Sequence, residues 1–527
     1  MTGKKYPVGI QTFSRIIREG YVYVDKTDLV WQLKEYATFV FLSRPRRFGK
    51  SLLTSTLESL FLGEKELFLG LKIMQMEQEW KRHAVIHLDL SSAKGQPSAE
   101  ALRQRLLLLL DPYAELYGRK DAETTPGALL EGIIRRASNQ TPSSVVVIID
   151  EYDAPLLDVL HDSSLLSEMR QVMQEFYVPL KANERLVKFC FITGVTKFSQ
   201  LSIFSTINNM KNVSMLPRFA AICGITEEEV KSCFNDDIGD MADIYGCSWS
   251  DMFNRIKQRY DGYHFAAVSP DIYNPYSLLN TFLDQQLGYE WFATGTPTFL
   301  IRQLRQWNTD ITALEHLEVP SSAFDQPTEN MSDALPLLYQ SGYLTIKGYD
   351  TDTEMYTLSI PNQEVRVGYV RGLLPAYTGL NSADVQTGFA AKFWKALRAG
   401  DVEQAMHVMQ GYFAEIPYVE GFRQKLKDAA VAEGFYEYTL YLVFSMLNVY
   451  VRTQVKCAKG RADIVVWTAD AIYVFELKMS GTAEEALRQI DEKGYATPYQ
   501  ADGRRVVKVG VVFNADTRIP ESWSYRF

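Results

Sequence analysis

The run Ser43-Arg44-Pro45-Arg46-Arg47-Phe48-Gly49-Lys50-Ser51 sets a glycine, a cation and a hydroxyl side by side, just ahead of the helical stretch LLTSTLESLF. These residue types in this order suit a polyphosphate. N–H groups at a helix start attract the anion, Gly49 permits close backbone approach, Lys50 reaches the β/γ-phosphates and the Ser51 hydroxyl reaches Mg²⁺. The pattern GxxxxGK[ST] begins with glycine, whereas this chain has Arg44 there, so by itself the run also suits a basic turn before a helix. The apolar run Val145–Ile149 then leads into Asp150-Glu151-Tyr152-Asp153. At the carboxyl end of a buried strand, Asp150 can hold Mg²⁺ through water, and Glu151 can orient or deprotonate an attacking water. Thr193, in Thr193-Gly194-Val195-Thr196-Lys197, offers a hydroxyl for the γ-phosphate at the same sheet edge.

A different constellation lies near the end of the chain. Asp463 opens an apolar run, and Glu476 and Lys478 alternate with Phe475 and Leu477, which puts the acid and the cation on one strand face. If Thr468–Asp470 turns a hairpin, Asp463 meets Glu476 and the two carboxylates form a seat for Mg²⁺ or Mn²⁺. Lys478 beside them can position a metal-bound water and neutralise developing phosphorane-like charge, a combination suited to phosphodiester hydrolysis. The same residues also fit an ordinary solvent-facing Glu/Lys pair. Arg452, Lys456, Lys459 and Arg461 precede Asp463 as a local basic patch able to steer a nucleic-acid backbone. Glu433 and Glu437 lie four apart on one helical face, and Gln489 and Tyr495 fall on and after a helical stretch, Ala483–Lys493.

The elements that must position these groups follow from periodicity. Four nearly all-apolar strands are expected at Thr38–Leu42, Val85–Leu90, Val145–Ile149 and Lys188–Thr193, joined by helical crossovers into a parallel sheet. From about Asp251 to Gln363 helical periodicity dominates, and Ser332–Gly342 followed by Tyr343–Ile346 and Met355–Ile360 reads as a helix plus hairpin of winged-helix type. Helices Asp384–Ala399, Asp401–Gly411 and Asp428–Leu447 then precede strands Asp463–Trp467 and Ala471–Lys478, the helix Ala483–Lys493 and a strand Val506–Phe513. The expected divisions are 1–250, 251–375 and 376–527.

Composition agrees with a folded chain of several domains. At 527 residues, 46% hydrophobic and 23% charged, it holds ample apolar surface, and its length corresponds to roughly three domains. The net charge of −9 argues against a protein that coats nucleic acid through its overall field, so any such contact is expected from locally clustered cations. Its five cysteines and six histidines show no CxxC or HExxH spacing, which argues against a zinc clamp or disulfide framework. The apolar run Leu106–Leu110 is flanked by Arg105 and Asp111. No stretch of membrane-span length or signal type occurs, and a cytoplasmic location away from membranes is expected.

The N-terminal motifs resemble the AAA-ATPase-like domain of bacterial P-loop proteins. The resemblance rests on Tyr23-Val24-Asp25-Lys26-Thr27, RPRRFGKSL, IIDEYDAP, FITGVTKFS and Tyr260-Asp261-Gly262-Tyr263, across about the first 290 residues. RPRRFGKS looks like that family's own phosphate loop. The resemblance implies ATP and Mg²⁺, with Gly49, Lys50, Ser51, Asp150 and Glu151 in the roles above, and with Arg46 and Arg47 either contacting phosphates or serving a neighbouring protomer.

Over the last 100 residues, Glu433-Gly434-Phe435-Tyr436, Gly460-Arg461-Ala462-Asp463, Phe475-Glu476-Leu477-Lys478 and Ala486-Leu487-Arg488-Gln489-Ile490 resemble the PD-(D/E)XK nuclease superfamily. That likeness implies Asp463 and Glu476 as metal ligands, Lys478 as catalytic cation, Glu433 (or Glu437) as a helix acid near the metal and Gln489 as a supporting polar group. The expected fold is α/β: a P-loop NTPase parallel sheet, a helical or winged-helix-like connector and a restriction-endonuclease-like core. The expected activity is ATP hydrolysis joined to metal-dependent cleavage of DNA or RNA. The rival readings are a nucleotide-dependent signalling or scaffold ATPase whose C-terminal domain binds nucleic acid or a partner without cutting, and an ATPase whose tail serves dimerisation.

Overall fold

The structure, a computed structural model, describes residues 3–141, 144–160, 162–196, 210–291, 317–325, 334–369, 383–415, 450–457, 460–514, 517 and 519–527. It divides into two compact units: residues 1–309 with 316–362, and residues 310–315 with 363–527.

The first unit is built on a five-stranded parallel sheet of β1 (Phe39–Ser43), β2 (Ala84–Asp89), β3 (Val145–Asp150), β4 (Val187–Gly194) and β5 (Lys211–Asn212), in the order β2-β3-β4-β1-β5. β3 is buried along its whole length, as the run VVVIID requires of a central strand covered on both faces. The four strands expected from periodicity are present, with ends displaced by one residue at most. Crossover helices start on side-chain caps. Ser98 caps Ala99–Tyr117, Thr125 caps Pro126–Gln140 with proline in the first turn, and Asp162 caps Ser163–Ala182. Their apolar stripes and the sheet share one core that includes Leu106, Ile133, Val147, Met173 and Phe176. Because all the strands run the same way, Ser43, Asp89 and Asp150 end at one edge, where α/β sheets bind ligands.

Beyond the sheet, the capping box of Thr226 and Glu229 opens the helix Glu227–Cys233. The helices Asn235–Ile244, Trp249–Tyr260 and Pro275–Asp284 pack around Phe234, Ile238, Met252, Ile256 and Phe282. β6 (Ile225–Thr226) and β7 (Ile272–Tyr273) pair across this layer. The expected helix plus hairpin is present as Leu335–Gln340 with β9 (Thr345–Asp350) and β10 (Met355–Ser359), and β8 (Leu317–Pro320) completes a three-stranded antiparallel sheet. The described residues of the expected connector up to 362 cluster with the first unit, and those from 363 onward with the second.

The second unit opens with the helices Ala383–Arg398 and Val402–Glu415. Its five-stranded sheet follows the order β11 (Tyr450–Cys457), β12 (Gly460–Trp467), β13 (Ala471–Lys478), β14 (Arg505–Phe513), β15 (Pro520–Arg526). Only the β13–β14 pair among these is parallel. That pair is joined through the helix Ala483–Lys493, opened by a Thr482/Glu485 capping box and ended by Gly494 at φ 68°. Gly510 lets the helix sit directly on β14, since a Cβ there would meet the Ala483 carbonyl at 2.4 Å. The flanking strands β11 and β15 were not anticipated. The helix expected at Asp428–Leu447 lies outside the described residues.

Candidate nucleotide and metal sites

The strand–loop–helix read from the phosphate motif is present: β1 ends at Ser43, Gly49 caps the helix Lys50–Phe61 at φ 92°, and Arg47 takes φ 68°. A left-handed glycine at a helix N-cap directs backbone N–H groups toward the space an anion would fill. A cavity of about 420 Å³ opens there, and Arg46, Arg47, Gly49, Lys50, Ser51, Asp89 and Glu151 line its polar part. Lys50 is buried. Its ammonium donates to the Pro45 carbonyl at 3.3 Å and pairs with Glu151 at 3.4 Å. Asp150, at the end of β3, is 2% exposed and accepts from the Glu151 N–H at 2.8 Å. Burial pushes its carboxyl up, and the Ser51 hydroxyl pulls the other way. Ser51 and Asp150 are therefore neighbours at the strand ends, and their hard oxygen donors fit a Mg²⁺ ion.

Thr193 differs from the sequence reading, and Arg47, which lines the cavity, and Arg44 each take a further contact. Thr193 does not offer its hydroxyl to the cavity; it is fully buried and donates to the Leu42 carbonyl at 2.7 Å, linking β4 to β1. Arg47 lies over the Tyr276 ring at 4.6 Å. Arg44, in place of the pattern's glycine, turns away from the cavity. Its guanidinium donates to the carbonyls of Ser43, Ser214 and Phe219 at 2.8–3.0 Å and stacks on Phe265 at 4.2 Å. Burial lowers its pKa to about 10, still far above neutrality. Arg44 thus anchors the back of the loop and leaves the front to Gly49 and Lys50.

Sequence reasoning gave no role to Asp153. It is fully buried, and its carboxylate accepts from the backbone N–H groups of Val195 and Thr196 and from the Thr196 hydroxyl at 2.6–3.1 Å. Burial, with Glu151 nearby, raises it to about 6. It ties the end of β3 to the end of β4, and Gly194 is required beside it because a Cβ there would stand 2.4 Å from Asp153. Asp89 was also passed over, although it ends β2 level with Asp150. For Asp89 the available signal was an acidic residue closing an apolar strand, whereas Asp153 lies three residues past the end of β3.

In the second unit β12 and β13 pair antiparallel, with Ile464 opposite Phe475. The Thr468 hydroxyl accepts from the Ala471 N–H at 2.9 Å and holds the turn. Asp463 Oδ2 accepts from the Leu477 N–H at 2.7 Å, which docks it beside Glu476. Glu476 is 3% exposed, and the Gln489 amide nitrogen donates to it. The amide oxygen of Gln489 accepts from Lys478 at 2.7 Å. Tyr495 joins the group: burial raises its pKa, Gln489 hydrogen-bonds it, and Glu476 and Asp463 are charges nearby. Gly460 makes room for that ring, since a Cβ there would stand 2.9 Å from the Tyr495 hydroxyl. The oxygen donors of Asp463 and Glu476 suit a hard divalent cation. Among the described residues no three His, Cys, Asp or Glu side chains gather as a metal cage. Glu433 and Glu437 lie outside the described residues, as does Lys459; Lys456 stands opposite Arg461 in register.

Residues 7–204 match the AAA-ATPase-like family, described as a predicted AAA-ATPase, and residues 431–523 match the PD-(D/E)XK nuclease superfamily. The chain is also 33% identical over 525 residues to the "Uncharacterized protein in vnfD 5'region" of Azotobacter chroococcum mcd 1, with 98% of each chain covered.

Proposed function

We propose, from the premise that this chain belongs to the AAA-ATPase-like family and carries a PD-(D/E)XK nuclease-superfamily domain, that it hydrolyses ATP and cleaves nucleic-acid phosphodiester bonds. The observation that carries the nuclease half is the Gln489 amide, which bridges Glu476 and Lys478 while Asp463 is fastened beside them on the Leu477 N–H.

In this reading Asp463 and Glu476 hold Mg²⁺ or Mn²⁺, with Glu433 as a further acid. The metal would lower the pKa of a bound water and polarise the phosphate. Lys478 neutralises charge on the phosphate as the bond breaks, and Gln489 keeps Lys478 and Glu476 in fixed relation. Arg461 and its basic neighbours attract the nucleic-acid backbone, DNA or RNA. At the other site Gly49 and Lys50 hold the phosphates, Ser51 and Asp150 hold Mg²⁺, and Glu151 orients the attacking water.

Gating of cleavage by ATP belongs to the same proposal, with residues 251–375 as the connecting part. It is supported by the packing of the phosphate loop against residues of that part. The Phe48 ring meets Tyr263 edge-on at 4.7 Å, Trp291 donates to the Arg46 carbonyl at 3.1 Å, and Gly342 lies against Pro45. A nucleotide that shifts this loop would shift those contacts. Among the described residues no helix is long and apolar enough to cross a membrane, and we place the protein in the cytoplasm.

The test is incubation with plasmid, single-stranded DNA and RNA, with Mg²⁺ or Mn²⁺, with and without ATP. Cleavage that requires the metal and is lost in Glu476→Ala, with ATP binding intact, supports the reading. Metal-dependent cleavage that survives Glu476→Ala overturns it.

A further inference from the structure

β15 and the residue after it carry Trp523, Tyr525 and Phe527 at alternate positions, so the three side chains share one face of the sheet. Trp523 lies against the helix Val402–Glu415, donating to Glu403 Oε2 at 3.1 Å and meeting the His407 ring edge-on at 5.3 Å. Arg526, on the alternate face, pairs with Glu484 of the helix Ala483–Lys493 at 2.5 Å. Gln489 of that same helix bridges Glu476 and Lys478. The candidate metal site and the aromatic row therefore occupy opposite faces of one sheet. Glu476 is level with Gly510, and Gly510 with Ser524, which separates Glu476 from Ser524 by two strand spacings, roughly 10 Å. Tyr525 is the next residue along that edge strand.

The row opens to solvent toward its end. Trp523 is half-buried, Tyr525 is 36% and Phe527 66% exposed, and the two outer rings meet edge-on at 5.6 Å. The Arg505 guanidinium lies over the Phe527 ring at 4.9 Å. The helix Ala383–Arg398 ends at the same corner, where a Cβ on Gly400 would stand 2.7 Å from the Arg505 guanidinium. Its last turn contributes Lys395 and Arg398, both exposed. Among the described residues Lys395, Arg398 and Arg505 form no ion pair, whereas the acids close to them in the chain are engaged. Asp401 accepts from the Gln404 N–H, Glu403 from Trp523, and Asp502 pairs with Arg504. On a chain of net charge −9 this corner is a local surplus of positive charge. Exposed rings beside unpaired cations are the two parts of a single-strand platform, because unpaired bases stack on the rings while phosphates meet the cations. A duplex, with its bases already stacked and paired, can use only the cations.

We propose that Tyr525 and Phe527, with Arg505, Lys395 and Arg398, form a platform on the reverse face of the second unit's sheet that binds single-stranded nucleic acid in preference to duplex. This rests on the reading of the second unit as a domain that acts on nucleic acid, and it narrows that substrate to unpaired strands.

Fluorescence anisotropy of the full chain with labelled oligothymidylate, oligouridylate and a DNA duplex, in EDTA so that nothing is cut, tests the platform and separates DNA from RNA. Tyr525→Ser and Phe527→Ser are each expected to weaken one or both single strands about tenfold, the effect of losing one stacking ring, and to leave the duplex within about twofold. Phe527→Trp restores a stacking surface and is expected to bind single strands at least as tightly as the unaltered protein. Lys395→Gln combined with Arg398→Gln is expected to flatten the dependence of log affinity on log salt by about 0.7 per cation removed. Circular dichroism checks that each variant is folded. Single-strand binding within about twofold of the unaltered protein in both serine variants overturns the platform, as do equal losses for single strand and duplex. So does a change in sedimentation with single-strand binding unchanged, which would make the rings a contact between copies of the chain. Cleavage is read separately with Mg²⁺ or Mn²⁺. Cutting by the unaltered protein, with binding unchanged in both serine variants, overturns the platform and leaves the nuclease reading in place. Binding lost in those variants, with no cutting by the unaltered protein, supports the platform and overturns the nuclease reading.

Discussion

Lys478 and Gln489 meet at 2.7 Å, ammonium to amide oxygen, and the same amide donates to Glu476. An acid and a cation on one strand are thereby held by a single residue of the helix Ala483–Lys493. Supporting partners of this kind typically contribute 10–100-fold to metal affinity or activity. Gln489→Leu, which keeps the volume and removes both hydrogen bonds, is expected to slow cleavage by roughly that 10–100-fold factor while leaving the chain folded. Initial rates on a labelled substrate, with circular dichroism of the same samples, check it. A rate within about twofold of the unaltered protein would show that Gln489 holds nothing the reaction needs.

Replacing Arg44 by glycine restores the consensus phosphate-loop pattern, yet the structure points to damage. The guanidinium satisfies three backbone carbonyls and covers Phe265 from a buried position. At about 1 kcal/mol per hydrogen bond lost, Arg44→Gly is expected to destabilise the first unit by roughly 3 kcal/mol and to weaken ATP binding with it. Thermal unfolding with and without ATP measures both effects.

Much of this could be read from residue order because the chemistry sits where strands end. The run VVVIID announces a buried strand and the acid at its tip, and the Ala483–Lys493 helix carries its start and stop signals in Thr482, Glu485 and Gly494. Pairings that depend on tertiary approach were less legible. Thr193 reads as an available hydroxyl until β4 is laid against β1 and its proton goes to Leu42. Arg44 reads as a loop cation until the segment Ser214–Phe219 folds over it. β15 was missed because PESWSYR is a mostly polar, exposed edge strand whose partner, β14, supplies the burial.

Asp261, from the Tyr260–Tyr263 motif, supplies a pH prediction. Burial raises its carboxyl from the ordinary 3.8 to about 6, so the folded state binds this proton more tightly than the unfolded chain does. Its contribution is fully favourable below pH 3.8 and is lost as pH rises through about 6. Asp261→Asn removes that slope. The stability difference between Asp261→Asn and the unaltered protein, from urea midpoints at about pH 4 to pH 7, is expected to move in favour of the variant as pH rises. A difference that stays flat across the range would show that the carboxyl titrates normally.

Glu151 stands 3.4 Å from Lys50 and takes φ 50°, a backbone conformation rare outside glycine. The surrounding structure holds it there, with Tyr152 donating to the Thr193 carbonyl next to it and Asp153 bound to the end of β4. A carboxylate so fixed beside the phosphate-loop lysine suits a residue that orients water at the γ-phosphate. Glu151→Gln keeps the shape and removes the negative charge. Binding of ATP is expected to persist or tighten, because an anion beside the phosphates is gone, while hydrolysis falls by roughly 10²–10⁴-fold. Phosphate release measured at saturating ATP, set beside the affinity for a fluorescent analogue, distinguishes this from a binding defect. Undiminished turnover in Glu151→Gln would transfer the water-positioning role to another acid on the cavity wall, and Asp89, level with Asp150 at the end of β2, would be the first to replace.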